Sequence, residues 1–435
     1  MSSGPRPSRR LPVHAAIAMA VLAATVLTAS GAHAATVHGP TLQQQPTSYS
    51  EWAIGAAMAY DGDTGQVMLY GGVAYTSVCG CNGTSGTWVW NGADFQQVVA
   101  AGASTFYSSL VFDAATHQML RVGGAMADDA TPVDTTSVWT GSGWQTLAPQ
   151  HQPSARLGDV STYDASSGQL ILFGGGNSAG FLGETWTWTG TDWQQLAPLV
   201  SPPARQLQTM AYDDATGQVV MYGGRGQGGS LADTWTWDGT TWKQLTPKHS
   251  PGPLVSAAMA YDPAVGAVLL VQGRPGSSPT VSTGSTWKWT GSDWVQMTAA
   301  TGPTDVNWPS MAYDPGRGQL LVMAPLADKP NGVANLVFLL AAPTATTLTT
   351  TAGVSGGPIS LTTQIAAKTV RALVGTVAFT MDAHPVPGCS AVPVVRGSAT
   401  CHPLASTGSH TVRAAYSGGP GFQPSVSAKT TLTVS

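Results

Sequence analysis

Short hydrophobic runs separated by polar turns recur along most of the chain. Residues 209–246 show one unit in full. An alternating run covers Thr209–Tyr212, a continuous apolar run covers Gln218–Tyr222, and Thr234–Trp237 and Thr241–Leu245 follow. Runs of this length, bounded by Asp, Gly and Thr, predict four strands of an antiparallel meander. A Tyr-Asp or Phe-Asp pair closes the first run of each unit. The pairs are Tyr60-Asp61, Phe112-Asp113, Tyr163-Asp164, Tyr212-Asp213, Tyr261-Asp262 and Tyr313-Asp314, spaced by 52, 51, 49, 49 and 52 residues. A period near fifty with four strands per unit points to a radial repeat.

Further marks recur in step. Gly-Gly follows the second run at Gly71-Gly72, Gly123-Gly124, Gly174-Gly175 and Gly223-Gly224, then decays to Gln272-Gly273 and Met323-Ala324. W-x-W occupies the third run at Trp88/Trp90, Trp186/Trp188, Trp235/Trp237 and Trp287/Trp289; the second unit keeps only Trp139, and the sixth has Leu336 and Phe338. Five residues on stand Phe95, Trp144, Trp193, Trp242 and Trp294. Each mark has a physical reason. Asp at the end of a strand accepts hydrogen bonds from the next amides and starts a turn, and Gly supplies a positive φ within it. A double Gly allows close backbone approach. Alternate indoles on a strand share one face, which suits packing between units better than ligand stacking.

This succession resembles the kelch repeat of β-propellers. The resemblance covers residues 35–342 and implies an all-β, six-bladed kelch-type propeller. The ends support six. Residues 41–46, TLQQQP, match the TWKQLTP of the fourth unit's last strand, whereas nothing of that kind follows Phe338. The N-terminal segment Thr41–Gln45 is therefore expected to supply the missing outer strand of the sixth blade, antiparallel to residues near Asn335–Leu339.

Composition sets the context. Residues 1–34 carry Arg6, Arg9 and Arg10, an apolar stretch Ala15–Leu27 and Ala32-His33-Ala34, the layout of a secretory signal peptide. Ser8-Arg9-Arg10 faintly resembles a twin-arginine signal, so both export routes stay open. Beyond that leader remain 15 basic and 22 acidic residues, a net charge of −7 with no basic block. Nucleic acid and anionic membranes are poor partners for such a surface. No run approaches a membrane span. An extracellular or cell-wall-associated monomer is expected.

At Pro343 the composition turns to Thr, Val and Ser. Gly375–Phe379, Cys389, Cys401, Gly408–Gly418 and Phe422 resemble the Ig-like repeat domains of secreted bacterial surface proteins, which implies a β-sandwich over 343–435 acting as a spacer or an adhesion unit. Cys389 and Cys401 are expected to form a disulfide across a hairpin. For Cys79-Gly80-Cys81, a local disulfide, a free or intermolecular pair and metal ligation all stay open.

The strand order separates short uniform turns on one face from long variable loops on the other, and variable loops on a rigid scaffold are where binding resides. That face is expected to carry Trp52, Tyr75, Phe106, Tyr107, Asp128, Asp129, Arg156, Phe181, Arg205, Arg225 and Trp308. Arg156 and Arg205 hold matching places before a first strand, so bonding to loop carbonyls is the competing reading. The copper radical oxidases similar to galactose oxidase also join a kelch propeller to an Ig-like domain, which makes copper-dependent oxidation of a carbohydrate or alcohol the alternative function. His151 and His249 share a register and are the only candidate ligand pair on the loop face, but no Tyr pair accompanies them. No nucleophile, zinc or P-loop motif occurs. The expected function is non-catalytic binding of a protein or glycan, with no cofactor.

Overall fold

The structure is a computed structural model. It describes residues 42–45, 54–74, 82–83, 86–99, 105–126, 130–255, 257–272, 285–297, 308–325, 335–340, 344–351, 356–367, 373, 375–418 and 422–435. These contain strands and turns and no helix, so none long and apolar enough to cross a membrane. Residues 1–34, where the signal peptide is expected, and Trp52, Tyr75, Cys79, Cys81, Asp128 and Asp129 lie outside the described residues.

Six four-stranded antiparallel sheets follow one another along the chain. Sheet four is typical, with strands Thr209–Asp213, Gln218–Tyr222, Thr234–Trp237 and Trp242–Leu245. First strands of successive sheets are neighbours throughout, and that of sheet six, Ser310–Asp314, lies beside that of sheet one, Ala57–Asp61.

The second strands show why. Side chains of a strand alternate between faces, yet in Gln169–Phe173 and Gln218–Tyr222 all four residues after the Gln are buried. Leu170 and Leu172 pack toward sheet two, whereas Ile171 and Phe173 pack toward sheet four. Val219 and Met221 likewise face sheet three, and Val220 and Tyr222 face sheet five. Each of the six interfaces therefore has its own apolar cluster, including one in which Ala312, Leu321 and Met323 of sheet six meet Met58, Val67 and Leu69 of sheet one.

The aromatic repeat marks crosslink these wedges. Trp144, Trp193, Trp242 and Trp294 each open a fourth strand and donate Nε1–H to the hydroxyl of Thr87, Thr136, Thr185 and Thr234, which open the third strand of the preceding sheet, at 2.8, 2.9, 3.0 and 3.0 Å. The second Trp of W-x-W packs on the fourth-strand aromatic of its own sheet, as in Trp237 and Trp242 with centroids 5.4 Å apart. Sheet two has Ser137 where sheets one, three, four and five have the first Trp. Arg121 occupies the vacated space, donating to Ser137 Oγ at 3.0 Å and to the Tyr70 hydroxyl while lying over the rings of Tyr70 and Trp144.

The Asp of each Tyr-Asp pair acts as the sequence suggests. Asp61, Asp113, Asp164, Asp213, Asp262 and Asp314 each accept a backbone amide two or three residues on. The turn then needs a positive φ, met by glycine in five units and by His117 (φ 56°) in sheet two, where the imidazole bonds Asp63 Oδ1 at 2.7 Å.

Sheet six is completed by Leu42–Gln45, antiparallel to Asn335–Leu340 with Leu42 opposite Leu340 and Gln45 opposite Val337. The expected strand exchange is present in the expected orientation.

From residue 344 a three-stranded sheet (Thr344–Thr351, Ser360–Ala367, Ser398–Cys401) and a second sheet built on Thr376–Met381 and Gly408–Tyr416 share one core that includes Leu361, Val377, Phe379, Val412 and Leu432. Ala264, from the first turn of sheet five, is buried in the same cluster. Cys389 and Cys401 form the expected disulfide, with Cα atoms 5.9 Å apart. Its placement differs from a hairpin bridge. Cys401 ends a strand of the smaller sheet, whereas the Cys389 carbonyl accepts the Phe379 amide of the other, so the bond ties the two sheets together.

Three outcomes follow. Trp188→Ala and Trp237→Ala should each cost about 3–5 kcal/mol in urea melts. Trp242→Phe should cost about 1 kcal/mol more than Trp237→Phe, because Trp242 Nε1 bonds Thr185 and Trp237 Nε1 has no partner. Removing residues 35–46 should expose the Asn335–Leu340 edge, lower the melting temperature and promote aggregation, read by light scattering on heating.

Candidate functional site

The residue five before each Tyr-Asp or Phe-Asp pair stands just ahead of a first strand. In five units it is Gly55, Tyr107, Gly158, Leu207 and Trp308, and all five are left-handed, with φ of 71°, 53°, 66°, 59° and 46°. Ser256, the sixth, lies outside the described residues. Hydrogen bonds explain the shared conformation. The Tyr107 amide donates to Gly55 O at 2.8 Å, Gly158 to Tyr107 O at 3.0 Å, and Leu207 to Gly158 O at 2.7 Å. Tyr107 and Gly158 each turn the N–H back to one unit and the carbonyl on to the next. A collar of backbone bonds therefore links sheets one to four around the centre. Left-handed φ at bulky Tyr, Leu and Trp costs about 1–2 kcal/mol each, and the collar supplies bonds that hold Tyr107 and Leu207 there.

Gly55 has a second reason to be glycine. A Cβ there would stand 2.7 Å from the Tyr107 ring. Without it, the Tyr107 and Trp308 rings meet across sheet one, with centroids 5.0 Å apart and planes tilted by 54°. Phe106 packs on the far side of Tyr107, at 4.9 Å, in an apolar cluster with Ile54, Val73 and Ala125. Within the collar is a cavity of about 130 Å³, several times the space one water needs. Tyr107, Trp308, Leu207 and Val255 contribute its apolar wall, and Ser108, Asp159 and Gln208, one residue inward of the collar, its polar wall.

Three of the expected site residues therefore converge: Phe106, Tyr107 and Trp308. Phe181 and Arg225 sit in two-stranded hairpins, Gly176–Asn177 with Gly180–Phe181 and Arg225–Gly226 with Gly229–Ser230, and do not line this cavity. Arg156 and Arg205 are corrected as ligand residues, being 1% and 0% exposed. Arg156 donates to Ser154 O, Ser154 Oγ and Gly174 O and bonds Glu184 Oε2 at 2.6 Å. Arg205 donates to Pro203 O and Gly223 O and holds both oxygens of Asp233, at 2.6 and 2.8 Å. Trp186 and Trp235 donate their indole N–H to the same two acids. Burial opposes ionisation of Glu184 and Asp233, but the Arg and Trp bonds outweigh it and hold both carboxyls below their usual range. Both arginines thus fasten each loop to the next sheet.

His151 and His249 are not brought together either. His151 bonds Asp192 through its amide and Nδ1, at 2.7 and 2.8 Å, and His249 bonds Asp293 in the same way, at 2.8 and 2.8 Å. Each Asp belongs to the third-to-fourth-strand turn of the following sheet, so the pair repeats a connection between sheets. Among the described residues no three His, Cys, Asp or Glu side chains gather as a metal site.

Asp159, Gln208 and Ser108 were not singled out from the sequence. The signal was present: one place after the collar, the six units read Ala56, Ser108, Asp159, Gln208, Ala257 and Pro309, and three polar residues stand among small apolar ones. Asp159 is 7% exposed, and neither of its oxygens has a hydrogen-bond partner. Burial pushes its carboxyl up to about 7, with Arg156 opposing the shift. Comparison with known proteins finds no matching family model and no matching curated protein.

The raised pKa of Asp159 has a stability consequence. The folded state holds the Asp159 proton more tightly than the unfolded chain, whose carboxyl titrates near 3.8. Stability from this group is thus full below that value and is lost as pH rises through about 7. Asp159→Asn should flatten the dependence between pH 4 and 8 and stabilise the chain at pH 8 by on the order of 1–4 kcal/mol. Thermal melts across that range measure both effects.

Proposed function

We propose that the chain is an exported six-bladed kelch-type propeller followed by an Ig-like module, and that it binds a ligand without transforming it. Supporting the propeller are the cyclic neighbourhood of six first strands and the completion of sheet six by the N-terminal strand. The single observation that carries the binding reading is the collar. Bulky residues held in a costly backbone conformation bring two aromatic rings and three polar side chains to one cavity, and strain of this kind gathers at ligand clamps. Pockets that combine an apolar wall with a few polar groups are binding sites by default. The ligand is a protein group or a glycan entering from the loop face, with the Ig-like module as spacer or adhesion unit. The copper-oxidase reading has less support, because His151 and His249 are each bonded to a different carboxylate.

A panel of glycans and peptides screened against the full chain tests this. Trp308→Ala should lower the affinity of any captured ligand about tenfold or more, as loss of an interface aromatic does, with little change in melting temperature. Arg225→Ala, outside the cavity, should leave it unchanged. A ligand that responds to Arg225 and ignores Trp308 would move the site to the outer loops.

A further inference from the structure

Asp159 is the least satisfied charged group described at the centre of the ring. Both its oxygens, and Oε1 of Gln208 at the same place in the next unit, lack a hydrogen-bond donor. The Gln208 amide nitrogen is engaged, donating to Phe173 O at 2.8 Å. The nearby Arg156 directs Nε, Nη1 and Nη2 to Ser154, Gly174 and Glu184. Three buried acceptors thus belong to residues that line one cavity, and among the described residues no other residue donates a hydrogen bond to them. A buried carboxylate without partners costs several kcal/mol unless something neutralises it.

The rest of the wall narrows what that something is. Tyr107 and Trp308 border the same cavity, and aromatic faces attract organic cations. A hard metal ion wants six or more oxygens, whereas half this wall is apolar. A neutral sugar brings donors but leaves the carboxylate charge uncompensated. We infer that the collar pocket, taken as the binding site proposed above, selects a primary ammonium group, held by the Asp159 carboxylate and Gln208 Oε1 and flanked by the Tyr107 and Trp308 rings. A cavity of about 130 Å³ admits the ammonium and a short alkyl stem, which fits either a small free amine or the end of a lysine side chain. The Asp159 oxygens are withdrawn from solvent in the empty pocket, so binding turns the carboxylate toward the incoming amine.

Protonation is linked to this. The charged group facing Asp159 is Arg156, itself paired with Glu184. Near pH 7 the empty site is partly protonated; a bound ammonium favours the carboxylate and expels that proton. Affinity should therefore fall as pH drops below 7.

The test titrates the full chain with n-butylammonium chloride, with n-butanol as the neutral counterpart, and with Nα-acetyl-lysine amide, by ligand-observed NMR and calorimetry at pH 8 and 5.5. Butylammonium should bind at least tenfold more tightly than butanol. Asp159→Asn should lose tenfold or more of that affinity, and Trp308→Ala several-fold. The parent should weaken at least fivefold from pH 8 to 5.5, and Asp159→Asn should not. Tighter binding of the free amine marks a small-molecule source; tighter binding of the lysine amide marks a protein source. Equal binding of amine and alcohol, an unaffected Asp159→Asn variant, or no amine binding overturns the inference. If amines fail while a neutral ligand from the panel depends on Trp308, only the ammonium assignment falls. If no ligand depends on Trp308, the collar is not the site.

Discussion

A sheet with both faces buried needs a neighbour on each side, and that requirement governs this molecule. The second strands are apolar on both faces, so a row of such sheets would leave two sticky ends. Closing the row into a ring removes them. The apolar mass is accordingly divided into six wedges, none of them a common centre. Four wedges carry an indole-to-threonine bond. The two without it flank sheet six, where Leu42 and Phe95 stand in place of the tryptophan. Those two interfaces depend on apolar packing and, between sheets six and one, on the Arg317 bond to Asn91 O at 2.8 Å.

The collar shows how a backbone requirement organises a site. Its residues share no side-chain chemistry: Gly, Tyr, Gly, Leu and Trp all adopt the left-handed turn, and from Gly55 to Leu207 each carbonyl meets the next amide. Once the backbone is held, the side chains are free to differ, and the cavity takes its character from whichever units supply Tyr107, Trp308, Asp159 and Gln208. Bulky residues and glycine alternate usefully, since Gly55 leaves the space in which two rings meet.

This also explains which parts were legible in the sequence. The period, the Asp-led turns, the aromatic stripe and the N-terminal outer strand depend on residue type repeated at fixed intervals, and all could be read from letters alone. The pairing of Leu42–Gln45 with Asn335–Leu340 was visible from a polar TLQQQP that has almost no apolar mass. The collar was not visible, because a conformation shared by unlike residues leaves no pattern. Arg156 and Arg205 allowed two readings, and only their burial and the Glu184 and Asp233 partners separate them. His151 and His249 were matched in register for a reason that the sequence hides, since each meets an Asp more than forty residues on. Arg121, in an otherwise apolar strand, bonds Ser137 in the space that a tryptophan fills in four other units.

The strand Leu42–Gln45 is made early in synthesis and its partner Asn335–Leu340 late. Sheets one to five can assemble as the chain lengthens, each on the face of the last, but the first sheet's outward face has no cover until the sixth arrives. During that interval the N-terminal segment has no partner and the nascent arc exposes apolar surface at both ends. The sixth sheet is complete only once that strand is paired, so one sheet holds the first and the last parts of the repeat array together.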